Sequence, residues 1–434
     1  MQKSVLAVVI AAVFAAHAHA ESALVEGPMG FNPIPGSAYA QAGANIATTP
    51  WVIPEGFTQS IVSDETALDI YVGTDWNDMN TVNEGKAHAG RYLYRTHEVR
   101  TENDARNDGE LGGSVSVVDL RTGEAKEVVT RYDWEALDGL VWTPWNTILF
   151  AEETITAGRP DPDHPQAISG LVYELKLDPS DPTRAESVTV RPQLGSLSHE
   201  GLEVDAEGNV YVIDEDRSGA IYKFVPHKRG DLSGGQLYAL RVMSASKTGA
   251  AEWVALDMVQ VQISARVAAK AVAATSFCRP EDIERIAETL YVALTCEDVT
   301  NPANTSGAGA VMAVGLGNSP TVSYVVAAGK NVPVENRGAG VTGFRSVDNL
   351  ADGPDGKLWM VEDNAYSDIW VFDPNSSDAN GDGYKDGVYL FASLKDVGAE
   401  GTGIYFGADP KTLLVNVQHS DTGNDKTMSI TKRK

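Results

Sequence analysis

Leu197-Ser198-His199-Glu200-Gly201-Leu202-Glu203-Val204-Asp205-Ala206-Glu207-Gly208-Asn209-Val210-Tyr211-Val212-Ile213-Asp214-Glu215-Asp216 sets the plan of the chain. A polar cluster comes first, then a turn, a short apolar strand and further carboxylates. The plan recurs at His97-Glu98, at Glu152-Glu153, at Pro280-Glu281-Asp282, at Asp348-Asn349 and at Glu400-Gly401-Thr402-Gly403. These acidic pieces lie roughly 45 to 80 residues apart, a period that strands and turns produce in propeller blades. The fold expected is therefore all-β, a six-bladed β-propeller. Each blade would carry an acidic strand end to a central channel.

Composition narrows the chemistry. The chain has 60 Asp plus Glu against 34 Lys plus Arg, a formal net charge of -26. A phosphate backbone needs a basic face, so nucleic acid is excluded as a partner. Residues 1–20 read as an export signal. Lys3 supplies the charge, Leu6 to Ala16 the apolar run, and Ala18-His19-Ala20 the small-residue cleavage site. The mature chain is expected to be periplasmic or secreted, with no membrane span. Residues 21–50, rich in Gly, Ala, Pro and Asn, read as an extended lead-in, and 51–434 as one propeller domain. Cys278 and Cys296 are the two cysteines; in an oxidising compartment they are expected to pair.

Strand and turn signals run through most of the chain. Ser114 to Asp119 is a strand that enters a tight Asp119–Gly123 turn. Tyr71 to Asn83 reads as a polar functional loop. Asn103 to Gly113 reads as a charged loop. Val254 to Ala274 reads as a short helical excursion on the rim, and Thr422 to the end as a polar tail that frays.

The candidate chemistry rests on carboxylates: Glu98, Glu152, Glu153, Glu200, Glu203, Glu281, Asp282, Asp348 and Glu400. Gathered in one channel they need cations or protons between them. Oxygen donors suit Ca²⁺ or Mg²⁺, and Fe³⁺ also accepts carboxylates. Asp378-Ala379-Asn380-Gly381-Asp382-Gly383-Tyr384-Lys385-Asp386 matches most of a calcium loop, with Tyr384 offering its carbonyl and Tyr389 where the closing Glu would stand. His97 and His199 precede glutamates and His419 follows a strand. Arg279 and Arg345 stand beside acids, as a phosphate clamp or as a salt bridge. No G-x-S-x-G occurs to support a serine nucleophile.

Trp142-Thr143-Pro144-Trp145-Asn146-Thr147 leading to Glu152-Glu153 resembles the PWGT…CEE element of the PhoX-type alkaline phosphatases. Leu197 to Gly201, Phe277 to Asp282, Asp348-Asn349 with Asp355-Gly356-Lys357-Leu358-Trp359, Glu400 to Gly403, and Leu414 to His419 resemble later elements of that family, in its order. Arg91 to Glu98 is similar to its LVVNHE segment. The resemblance implies an exported, monomeric six-bladed propeller that hydrolyses small phosphomonoesters with calcium and an iron pair. It implies metal binding by Glu153, Glu200, Glu281 and Glu400, and Glu98, which matches another of the family's site positions, is assigned to metal with them. Arg279, Asn349 and His199 are assigned to catalysis, and His97, His419 and Asp348 to orienting carboxylates or binding phosphate. The family's iron-ligating cysteine falls in a stretch that here reads Asp138-Gly139-Leu140-Val141-Trp142, and Asn146 replaces its usual Gly. Three readings stand: a metal-dependent phosphatase-like hydrolase, a calcium-stabilised propeller that binds a ligand or protein without turnover, and another metal-dependent esterase or lactonase.

Overall fold

The computed structural model describes residues 24–68, 76–85, 88–100, 112–156, 159–317, 319–336 and 343–434. The export signal read at 1–20, the start of the loop read at 71–83 and most of the charged loop read at 103–113 lie outside the described residues.

The described chain is built of antiparallel strands with one α-helix, Met258–Ala271. Strand alternation explains most of it. In Ile148–Glu152, Leu149 and Ala151 face one core while Ile148 and Phe150 face the next, because successive side chains point to opposite faces of a sheet. A sheet apolar on both faces must be covered on both, so cores alternate with sheets along the chain.

The expected six-bladed propeller is corrected by the strand pairing. The strands form five sheets, not six, with five, four, nine, four and four strands. The nine-stranded sheet arises because the edge strand Gly249–Ala255 pairs with the edge strand Thr321–Ala327, Gly249 opposite Val322 and Ala250 opposite Thr321. Its two end strands, Leu202–Val204 and Pro280–Ile286, come side by side, with the Gly201 amide donating to the Glu281 carbonyl at 2.9 Å, so this sheet nearly closes on itself. The period of the acidic pieces reports where strands begin. It carries no information on which outer edges meet sideways, and that is where the expectation failed.

Six strands face the axis: Trp76–Val82, Leu137–Trp142, Leu202–Val204, Pro280–Ile286, Val347–Asp352 and Glu400–Phe406. Each neighbours the next in chain order, and the last neighbours the first. Side-chain amides and carboxylates stitch this ring. Asn349 Oδ1 accepts from the Gly403 amide at 2.6 Å, Asp282 Oδ2 from the Leu350 amide at 2.7 Å, and Asn80 Nδ2 donates to the Gly403 carbonyl at 2.6 Å. Close approach also requires glycine. A Cβ on Gly139 would lie 2.0 Å from the Glu200 carbonyl oxygen, and one on Gly201 would lie 1.8 Å from Asp282 Oδ1 and 2.8 Å from its Cα.

Two further expectations are corrected. Tyr71–Asn83, read as a loop, contains the buried strand Trp76–Val82. The chain end, read as a fraying tail, is the strand Lys426–Lys432, held between Phe57–Asp64 and Thr412–Gln418 with Met428 and Ile430 fully buried. The polar Thr427 that helped hide it is fully buried, its hydroxyl accepting from Arg95 at 3.0 Å and donating to Asn416 at 2.8 Å.

The excursion read at Val254–Ala274 is the helix Met258–Ala271, capped by Asp257, whose side chain accepts from the Val259 and Gln260 amides. Its backbone breaks at Ser264, where φ is -166° and ψ is 101°. Here Gln262 gives its carbonyl to His164 and the Ala265 amide bonds to Ser196, which trades a turn of helix for anchorage to the sheets. Among the described residues no helix is long and apolar enough to cross a membrane.

Gly201→Ala tests the close packing of the ring. Overpacking is expected to cost about 1–3 kcal/mol, read as a lowered denaturation midpoint, whereas Gly317→Ala, at a glycine with open space and no left-handed backbone, is expected to change it far less.

Candidate metal centre

At one mouth of the ring lies a cavity of about 190 Å³ lined by nine carboxylates, from Asp78, Glu98, Asp138, Glu153, Glu200, Glu281, Asp348, Asp363 and Glu400. Against them stand two guanidinium groups, Arg100 and Arg279, with Trp76, Thr402, Gln418 and His419 completing the wall. Each inner strand or the turn beside it contributes. Asp78 comes from Trp76–Val82, Asp138 from Leu137–Trp142, Glu200 from the turn before Leu202–Val204, Glu281 from Pro280–Ile286, Asp348 from Val347–Asp352 and Glu400 from Glu400–Phe406. All five acids assigned to metal by sequence, Glu98, Glu153, Glu200, Glu281 and Glu400, are brought together here, as are Asp348, Arg279 and His419.

Two groups could hold an ion: Asp138, Glu153 and Glu200 within the lining, and Glu200 and Glu281 with Glu215, which is not part of the lining. In each, one oxygen per residue lies within 4.8 Å of the others. The donor set fits a hard cation, being wholly carboxylate. Asp138 Oδ1 is buried without a hydrogen-bond partner, an atom that a bound cation would satisfy. No sulfur ligand is at hand, because Cys278 and Cys296 are joined in a disulfide. That bridge lies beside Arg279, which takes a positive φ of 44°. Its amide donates to Asp216 and its carbonyl accepts from Thr295, and these bonds aim the guanidinium into the cavity. Arg279 Nε meets Glu215 at 2.6 Å and Glu281 at 3.0 Å. His419 Nε2 meets Glu400 at 3.0 Å, with the Trp76 ring edge-on at 4.4 Å.

The electrostatics follow from crowding and dryness. Burial, reinforced by neighbouring carboxylates, pushes Asp78 up to about 7 and Glu153 up to about 8. Glu98 also rises to about 7, by burial against the opposing pull of Arg100. Asp138, Glu200, Glu281, Asp348 and Glu400 are raised well above the usual carboxylate range, burial being the largest cause in each. Burial lowers His419.

Three assignments are not brought to the cavity. His199 is fully buried behind Glu200, its Nε2 on the Gly195 carbonyl at 3.0 Å, and burial lowers it to about 4. His97 faces away from Glu98 and meets Ser116 Oγ at 2.6 Å; neighbours along a strand alternate sides, so adjacency to a site glutamate pointed the wrong way. Asn349 stands outside the lining, its Oδ1 on the Gly403 amide of the ring and its Nδ2 3.3 Å from the cavity acid Asp348. Of the other candidates, Glu152 accepts the Glu135 and Leu171 amides, Asp282 ties two inner strands, and Glu203 lines a second cavity at the other end of the ring. Arg345 pairs with Glu335 at 3.3 Å outside the site. Sequence reasoning missed Asp78, Asp138, Glu215, Asp363, Arg100 and Gln418. The acid pair flanking Glu215 in Asp214-Glu215-Asp216 was the strongest signal available.

The loop at Asp378–Asp386 lies on the surface between Asp368–Phe372 and Val388–Leu394. Asp378 accepts the Gly381 and Gly383 amides, Asn380 the Asp382 amide, Asp382 the Tyr384 amide, and Asp386 the Ala379 amide. The turn is thus closed by its own side chains.

A pH dependence follows. The raised carboxylates hold protons in the folded chain that the unfolded chain releases near 4, so folding stability falls as pH rises toward 7 and 8. In chelator, the melting temperature is expected to drop between about pH 5 and about pH 8, and added Ca²⁺ is expected to flatten that slope, because an ion replaces the protons.

Among curated protein sequences none matches this chain. Among solved structures, Pseudomonas fluorescens PhoX in complex with vanadate, a transition state analogue, is similar over 94% of this chain and 98% of that one, with a TM-score of 0.66 at 18% identity. A Xanthomonas campestris gluconolactonase overlaps 90% of this chain and 96% of its own with a TM-score of 0.45 at 11% identity, too remote to bear on function. The first likeness is one of fold. The family model described as Alkaline phosphatase PhoX matches residues 141–421. That span holds Glu153, Glu200, Glu215, Glu281, Asp348 and Glu400 and covers more than half of the sequence, and so the chain belongs to the PhoX alkaline phosphatase family.

Proposed function

We propose that this protein is an exported, metal-dependent hydrolase of small phosphomonoesters, with its chemistry in the carboxylate cavity. The observation that carries the reading is the pair of carboxylate triads that share Glu200 beside Arg279. Asp138, Glu153, Glu200, Glu215 and Glu281 would hold the ions, with Glu400 alongside. Bound there, hard cations supply charge that polarises a phosphoryl group and lowers the pKa of water.

The chain's own groups do the rest. Nine acids in one small cavity would repel a phosphate dianion, so the site admits one only when its charge is neutralised. Arg279 Nε is taken by two glutamates, which leaves its terminal nitrogens for a phosphoryl oxygen. His419, partly exposed at the rim, sets its Nε2 on Glu400 and would orient that carboxylate toward the ions. Asp138 lies in the stretch where the family's phosphatases carry the iron-ligating cysteine. An oxygen donor in place of sulfur shifts preference toward Ca²⁺ or Mg²⁺. The disulfide supports export, since such bonds persist in oxidising compartments.

The test is turnover of a phosphomonoester panel, alongside esters and lactones, with and without chelator. Glu281→Gln is expected to lower kcat/KM by roughly 100-fold or more while the protein stays folded. Arg279→Lys is expected to raise KM by about tenfold. Absence of chelator-sensitive phosphomonoester turnover in a calcium-loaded, folded protein would sink the proposal, and turnover confined to esters or lactones would move the chemistry to that class.

A further inference from the structure

We propose that Arg100 is a resident cation of the cavity. It fills the corner at Glu98 that a metal ion would otherwise take, so that Glu98 serves as the partner of Arg100 and not as an ion ligand. The inference rests on the metal-dependent reading of the site above.

Three observations carry it. First, Arg100 Nη2 contacts Glu98 Oε1 directly and Glu153 Oε2 at 2.5 Å. The two carboxylates are almost fully buried, with 7% and 13% of their side chains exposed, so the guanidinium reaches into the wall and is no surface arm. Second, the other oxygen of Glu98 is also engaged, since Gln418 Nε2 lies 3.5 Å from Oε2 and donates to Asp78 Oδ2 at 3.1 Å. Glu98 thus has one oxygen held by Arg100 and the other facing the Gln418 amide. Third, among the described residues the groups able to hold an ion draw on Asp138, Glu153, Glu200, Glu215 and Glu281, and none includes Glu98. Glu153 stands between the two regimes, its Oε2 held by Arg100 while the residue also belongs to the group with Asp138 and Glu200.

The chemistry of guanidinium suits the task. It is charged throughout the accessible pH range and its planar fork matches carboxylates in pairs. A covalently tethered cation does not dissociate, so this corner stays neutralised when chelator strips the ions. The centre therefore needs fewer ions than its nine carboxylates suggest, and those ions gather on the Glu200 side, toward Arg279.

The test counts ions and does not use turnover. Wild type, Arg100→Ala and Glu98→Gln are equilibrated with Ca²⁺, and bound metal per chain is measured by elemental mass spectrometry and by calorimetric titration, with folding checked by circular dichroism. Arg100→Ala is expected to bind one more Ca²⁺ per chain than wild type, as Glu98 and the freed oxygen of Glu153 become ligands. Glu98→Gln is expected to bind the wild-type number. An unchanged count in folded Arg100→Ala, or an ion lost in Glu98→Gln, overturns the inference and leaves the metal-dependent reading intact. Should Arg100→Ala not fold, the Glu98→Gln count decides. Wild type that binds no Ca²⁺ would overturn the metal-dependent reading, and this inference with it.

Discussion

The mutual repulsion of carboxylates held out of water governs this molecule. Carboxylates from nine separate strands or turns meet in one cavity of about 190 Å³, where charges that water would screen act on each other through a poorly polarisable medium. Such an arrangement persists only if something outside it is strong enough to hold the strands in place. That something is the ring of hydrogen bonds through Asn80, Asp282 and Asn349, backed by apolar layers on both faces of the sheets. The scaffold stores the unfavourable electrostatics, and cations or protons release them.

The division of labour among the polar residues follows from this. Residues that look alike in the sequence separate into two sets. Asp282 and Glu152 are as buried as Glu281 and Glu200, but each accepts two backbone amides. They are part of the frame. The cavity acids instead face one another and two arginines. Fixed carboxylates aimed at a common point in a dry space are pre-organised for a cation, because little reorganisation remains when one arrives.

Much of this was legible in the sequence, and the failures have physical causes. The glutamates at His97-Glu98, Glu152-Glu153, Leu197 to Gly201, Pro280-Glu281 and Ala399-Glu400 stood out because each sits beside a turn or strand end. Asp78 and Asp138 did not, because they lie within strands whose neighbours are polar or apolar in no obvious order. His97 and His199 were chosen for sequence adjacency, which on an extended chain places a side chain on the opposite side. Arg100 gave no signal, since a single basic residue gains meaning only from the acids folded around it. The joining of two sheets into nine strands was equally invisible. Two residues of edge pairing, at Gly249 and Ala250, leave no trace in composition or period.

The pairing of Phe57–Asp64 with Lys426–Lys432 has a consequence for biogenesis. The two strands stand 369 residues apart in the chain at Ser60 and Ser429, so the second is made long after the first. Until it arrives, the early strand has an unsatisfied edge and the acidic mouth has no completed wall. Joining strands so far apart carries the entropy cost of closing a very long loop, which makes this edge a late and slow pairing in the folding of the chain.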